Sequence, residues 1–387
     1  MVRKYIYIQL FVLLTAVLAA CTEKKTGPVV APWGTVSDSV SWSDNFDIDQ
    51  IQRNGELIML TMSGPETYYD YHGRSLGTQY LLCERFAGKI GCSVRVDVCR
   101  DTTEMLDKLR EGEGDVMVVA PGGTPRGTTA FDSLGWVVDE RKPLLEKELR
   151  AWYRSSMLAE VRQQEQEMLS VKNRVRRRVF APMLDRAGGV ISQWDGLFIA
   201  HAPTAGWDWR LLAAQCYQES TFDPQAHSWA GACGLMQIMP RTADHLGLPQ
   251  SKIYDPEANI AAAAKYIAEL NGMFKDIADR RERINFILAS YNGGAFHIRD
   301  AMALTEKYGG NKYRWADVSR YVLLLQDAQY YRDPLVKHGY MRGSETVDYV
   351  ARINQRYNEY RGVHSPLGGS YQTPRKAKKE RKGKYRI

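Results

Sequence analysis

The chain has 387 residues, 44% hydrophobic and 25% charged, enough apolar material for two or three domains with full cores. Its formal charge of +7 is uneven: Pro374 to Ile387 holds eight Lys or Arg and one Glu, so everything before that stretch sums to zero. The basic balance describes a tail, and with no basic stripe interleaved with aromatics elsewhere it argues against a nucleic-acid partner.

Arg3 and Lys4 precede an apolar stretch, Tyr5 to Ala20. That is the pattern of an export signal over residues 1–20, short for a spanning helix. It ends in Leu18-Ala19-Ala20-Cys21, which resembles the bacterial lipobox. The resemblance implies cleavage, lipidation of Cys21 and a body tethered to a membrane by acyl chains. Thr22 stands where an Asp would favour inner-membrane retention, so the expected location is the outer membrane, facing the periplasm. Residues 21–54 are polar, with Pro28, Pro32 and Gly34, and read as a flexible tether.

From Gly55 the pattern changes. Leu57 to Thr61 reads as a buried strand and Gly77 to Ile90 as a helix. Ser93 to Cys99 alternates as a strand, Thr103 to Arg110 is helical, and Val116 to Ala120 is a third apolar strand. This alternation predicts an α/β domain with a parallel sheet over residues 55–154. The opening strand, TYYDYHGRSLGTQYLLCERFA and LREGEGDVMVVA together resemble the first lobe of periplasmic solute-binding domains of the amino-acid-binding type. Ala120, however, leads through a Gly/Thr/Pro-rich bridge into Leu134 to Val138, read as the strand that returns to the same lobe, and then into the helix Pro143 to Tyr153. A single lobe lacks a facing wall for a small ligand, so the expectation is an interaction or regulatory module that meets a cell-wall protein, the alternative being residual binding of a small ligand. Tyr68, Tyr69 and Tyr71 are either cleft-edge residues or a packed aromatic cluster. Residues 155–190 read as a charged helical connector, with Arg174, Arg176, Arg177 and Arg178 near its end.

Trp209 to about Glu219 reads as a helix with a carboxylate in its last turn. A loop follows with Asp223-Pro224, Gly231 and Gly234, then an apolar run from Leu235 to Met239 that stops at Pro240. A carboxylate beside Tyr217, Phe222, Leu235 and Met236 is poorly solvated, which raises its pKa and suits it to be a general acid. Helices follow at Thr242 to Leu246, from Asp255-Pro256-Glu257 onward, and at Arg283 to Tyr291, Ala295 to Tyr308, Ser319 to Gln326 and Ser344 to Tyr360. Residues 191–365 are therefore expected to be all-α, and 366–387 a basic disordered tail.

Glu219-Ser220, Gly234-Leu235-Met236-Gln237 and Tyr291-Asn292 occur in that order within about 70 residues. Together they resemble the lytic transglycosylase (goose-lysozyme-like) family. The resemblance implies a lysozyme-like fold and peptidoglycan glycan strands as substrate, cut between MurNAc and GlcNAc. It implies Glu219 as the catalytic acid, with Ser220 fixing the helix end and Ser228 positioning the acid, although Trp229 stands where relatives often carry Pro. Gln237 is then a sugar hydrogen-bonder. Met236 packs either under the glycan or in the core. Tyr291 holds Glu219 or the acetamido group, and Asn292 binds sugar or shapes its loop. Ser290 replaces the usual Ala. Glu345-Thr346 with Tyr349 and Val350 resembles, more weakly, a late motif that returns to the groove, which implies Glu345 and Tyr349 either as substrate-binding residues or as structural ones. The module order resembles membrane-bound lytic murein transglycosylases.

Glycosidases ordinarily use two carboxylates about 5–10 Å apart. No second one falls in a matching motif, and Asp223 reads as a turn residue. One suffices if the sugar's own C6 hydroxyl attacks C1. Beyond Cys21 five cysteines remain. Cys216 and Cys233 flank the loop and either form a disulfide or are small buried residues. None has zinc-ligand spacing with the seven histidines, so neither a metal nor a cofactor is expected.

Overall fold

The computed structural model describes residues 30–31, 34–35, 47–120, 130–131, 134–170, 185 and 189–361. Cys21, the arginine cluster at 174–178 and the basic tail lie outside them. Residues 1–46 form one unit and 47–387 another. In the first, Val30–Ala31 pairs antiparallel with Gly34–Thr35.

The second unit begins with a helix, α1 (Ile48–Asn54), where the sequence suggested the end of a tether. Asp47 explains it. Its side chain accepts from Ile48 N and forms a capping box with Gln50. The same carboxylate accepts from Leu144 N and Leu145 N, each at 2.8 Å, so one residue starts two helices.

The strand β1 (Glu56–Thr61) is followed by a hairpin, β2 (Tyr69–Tyr71) and β3 (Arg74–Leu76), and by α2 (Thr78–Lys89). Next come β4 (Ser93–Val98), α3 (Thr102–Glu111), β5 (Val116–Val118), β6 (Ala130–Phe131), β7 (Trp136–Val138) and α4 (Pro143–Trp152). The five-stranded sheet has the order β4-β1-β5-β7-β6. Both neighbours of β1 run parallel to it, as the alternating pattern implied. The expectation of a parallel sheet fails beyond β5: β7 is antiparallel to β5, and β6 to β7. The sheet is completed there by an antiparallel pair, β6 and β7, with β7 beside β5, and antiparallel neighbours do not require the crossover helix of a parallel return.

The connector helix α5 (Ser156–Leu169) belongs to this module. Its Glu165, 7% exposed, accepts from Tyr69 Oη (3.0 Å), Gly77 N (3.1 Å) and Thr78 Oγ1 (2.9 Å). A buried charge is tolerated only with such partners, and these three fix the root of the hairpin and the start of α2.

The remaining helices are α6 (Asp195–Ala205), α7 (Trp209–Ser220), α8 (Pro240–Leu246), α9 (Pro256–Met273), α10 (Arg280–Gly293), α11 (Ala295–Lys307), α12 (Trp315–Leu324), α13 (Ala328–Tyr331) and α14 (Gly343–Tyr360). Their core includes Phe198, Trp209, Phe274, Phe286 and Tyr360. The helix α7 packs against α6 and α14. Among the described residues of 205–361 only isolated bridges replace strands, at His227–Cys233 and Cys233–Ile238. None of the helices among the described residues is long and apolar enough to cross a membrane.

All five described cysteines are free, so no Cys216–Cys233 disulfide forms. Cys216 Sγ lies against Leu235 O at 3.3 Å, while Cys233 Sγ lies 3.4 Å from His227 Nδ1. Burial pushes the Cys216 thiol pKa well up, which keeps it an inert packing group.

Candidate active site

Asp208 caps α7 by accepting from Arg210 N, and Leu211 to Cys216 bury the helix in the core. The helix stops abruptly. Thr221 and Phe222 take left-handed φ values of 53° and 66°, and Ser220, fully buried, donates to Leu235 O (2.8 Å) and Cys216 O (3.2 Å). Glu219 is thereby set at the helix end, half-buried, on a groove of about 1170 Å³.

Tyr349 Oη donates to Glu219 Oε1 at 2.5 Å and itself accepts from Gln215 Nε2 at 3.1 Å. Burial first, and the nearby Glu219 second, hold the Tyr349 hydroxyl far above its ordinary range, so it stays a donor.

Tyr291 also lines the groove. Its hydroxyl donates to Met236 O at 2.8 Å, bracing the turn opposite. Met236 is fully buried, so the reading that packs it under the glycan is corrected. The apolar run sends Leu235 and Met236 into the core, and Met236 serves the groove through its backbone. Met236 N donates to Asn259 Oδ1 (2.8 Å), and Asn259 Nδ2 donates to Ile253 O (2.7 Å) and Cys233 O (3.1 Å).

Gln237 lines the groove with φ of 49°. Its amide nitrogen donates to Gly234 O (2.9 Å) and Ala226 O (3.1 Å), which leaves the amide carbonyl as the end available to a ligand. Ser228 shapes its loop: its Oγ accepts from Ala232 N and its N donates to Ala232 O, both at 2.9 Å. Asn292 Oδ1 accepts from Thr346 Oγ1 at 2.8 Å, tying the end of α10 to α14. Asp223 is buried and accepts from Gln225 N, a turn role.

The hairpin of the α/β module forms one wall of this groove, a feature the sequence reading did not find. The Tyr71 ring stacks on Trp229 at 5.8 Å and 16°, and Arg74 lies over the same indole and donates to Trp229 O. Across the groove Tyr71 Oη donates to Glu345, which also faces His72 Nε2 (3.6 Å) and Arg342 Nη2 (3.2 Å). Burial alone would raise the Glu345 pKa. The bonds from His72 and Tyr71 and the Arg342 charge outweigh it and hold the group at about 2. Glu345 lines the groove and bonds to the hairpin at once. Glu345, Tyr349 and Arg352 share one face of α14 at helical spacing.

Residues 196–314, which carry Glu219, Gln237 and Tyr291, match the transglycosylase SLT domain family. The chain is similar to membrane-bound lytic murein transglycosylase F of Desulfosudis oleivorans, 42% identical over 153 residues that cover 40% of this chain and 33% of that protein. It is also similar to membrane-bound lytic murein transglycosylase F of Citrobacter koseri, 26% identical over 82% of each chain. It thus spans about a third of the first relative and most of the second. The 70 kDa soluble lytic transglycosylase of Escherichia coli aligns with 43% of the chain and 24% of its own at a TM-score of 0.32 and 24% identity, too loosely to support an argument.

Proposed function

We propose that the protein is a peptidoglycan lytic transglycosylase, cleaving the bond between MurNAc and GlcNAc without water and leaving 1,6-anhydroMurNAc ends. The observation that carries this reading is Glu219, hydrogen-bonded by Tyr349 on the groove wall within the SLT segment. The other groove carboxylates are differently placed: Glu345 is tied to three side chains, and Asp70, Glu84 and Asp348 are exposed.

Glu219 as the acid protonates the leaving oxygen, and the neighbouring acetamido carbonyl of the sugar stabilises the oxocarbenium-like charge. The ionised Glu219 then takes the proton of the C6 hydroxyl as that oxygen attacks C1. The bond to the leaving sugar breaks, the 1,6-anhydro bond forms, and Glu219 ends protonated as it began. Gln237 offers its amide carbonyl to a sugar N–H or O–H, and Asn292 and Ser228 keep the groove loops in place.

The finer reading is of a lipoprotein anchored through Cys21, facing the periplasm from the outer membrane. The α/β module is read as a single solute-binding-like lobe that meets a cell-wall protein. The lipobox and the quoted module motifs support it. Mass spectrometry of digested sacculi tests the chemistry. Anhydro-ended muropeptides, lighter by one water than hydrolytic products, are expected; reducing ends would make the enzyme a hydrolase instead.

A further inference from the structure

Past the turn at Asn292 to Gly294 the groove reaches a feature that the reaction does not use. Phe296, in the first turn of α11, is 59% exposed, the highest value among the exposed large hydrophobic side chains of the described residues. An exposed aromatic ring presents a flat apolar face on which a ligand can stack. Its ring is not free to fold away: it stacks on His338, with centroids 4.8 Å apart and planes 20° from parallel.

His338 is itself held. Its N donates to Asp300 Oδ2 at 2.7 Å, and Lys337 N donates to Oδ1 of the same buried carboxylate at 3.1 Å. His297 packs edge-on against His338, and its Nδ1 is buried with no hydrogen-bond partner among the described residues. An unpaired buried nitrogen is costly. Phe296, His297 and His338 line the same groove as Glu219.

We propose that Phe296, backed by His338, is a stacking platform for one N-acetylated sugar of the glycan strand, a subsite separate from the Glu219 centre. One face of the phenyl ring is covered by the imidazole, so the exposure lies on the other. A pyranose carries an apolar C–H face of matching size, and an aromatic ring with a preset orientation binds it with little loss of side-chain freedom. The inference rests on the glycan reading above and extends it to a longer stretch of strand.

The test uses the full chain in a Glu219→Gln background, so that nothing is turned over. The trimer and hexamer of β-1,4-linked N-acetylglucosamine are the probes in calorimetry. Phe296→Ala should weaken the hexamer by about tenfold and the trimer by less than about twofold, with the melting temperature unchanged. Phe296→Trp should restore the hexamer, and His338→Ala should reproduce part of the loss. Equal weakening of both sugars, or none, overturns the subsite while leaving the glycan reading intact. A parent that binds neither sugar overturns both.

Discussion

Tyr349 on α14 donates to Glu219 at the end of α7, 130 residues away in the chain, and Gln215, one turn before Glu219, donates to Tyr349 in turn. The acid is therefore oriented by a relay that begins on its own helix. Tyr349→Phe removes the donor and keeps the ring. A hydrogen bond to a charged group contributes about 1.5–3 kcal/mol, so turnover of sacculi should fall by roughly ten- to a hundredfold. The melting temperature should change little. Unaltered turnover would show that Glu219 does not depend on this tyrosine.

Glu219→Gln should reduce product formation by at least about a thousandfold, the scale of a lost general acid and base, and should keep affinity for sacculi in a pull-down. Wild-type cleavage by this variant would remove Glu219 from the chemistry.

Gly234 is a conformational requirement of the groove. Its φ is 77°, and a Cβ there would lie 2.6 Å from Asn259 Nδ2 and 2.8 Å from Ile253 O. Gly234→Ala should cost about 2 kcal/mol or more, through backbone strain and displacement of Asn259. Gly231→Ala, with φ of 98° and no atom within 4 Å of the added carbon, should cost only the strain of about 1–2 kcal/mol. Urea unfolding of the two variants gives the comparison.

The hairpin contact with Glu345 is measurable by a double-mutant cycle. Tyr71→Phe keeps the stack on Trp229 and loses the donor; Glu345→Gln removes the charge. Their coupling in unfolding free energy should be about 1 kcal/mol or more, and additivity would mean that the pair is not formed in solution.

His297 sets a pH dependence. Burial, and then the charge of His338, push its pKa from 6.5 down to about 4. Between those values the unfolded chain binds a proton at this position and the native state does not. Stability contributed here is therefore complete above about 6.5 and falls as pH drops toward 4. Denaturation at pH values on either side of that window should show the slope, and His297→Leu should flatten it.

Much of the α-helical region was legible because its signals are local. Apolar spacing, with Asp255-Pro256-Glu257 as a start signal, gave the helices; the caps at Asp208 and Asp279 were not read, so the helix placed from Arg283 begins at Arg280. The motifs also brought Glu219, Gln237, Tyr291 and Asn292 to one groove. Their division of labour was not legible. Whether Tyr291 or Tyr349 reaches Glu219 depends on how α10 and α14 cross α7, which no local pattern encodes. Asn259 went unnoticed although a polar residue among Ala258, Ile260 and Ala261 was a visible signal. The α1 helix was hidden in a polar stretch, yet Asp47 and Gln50 have capping-box spacing. β7 returns antiparallel to β5, and strand direction is not written in alternation.

The placement of Tyr71 and Arg74 against Trp229 bears on how this molecule can be dissected. A fragment trimmed to the matched segment 196–314 would lack the hairpin and also α14, which carries Tyr349. Such an excised piece would expose an indole normally covered on one side and leave its acid without a tether. Poor solubility or feeble turnover of that piece would then report on where the chain was cut, not on what the intact protein can do.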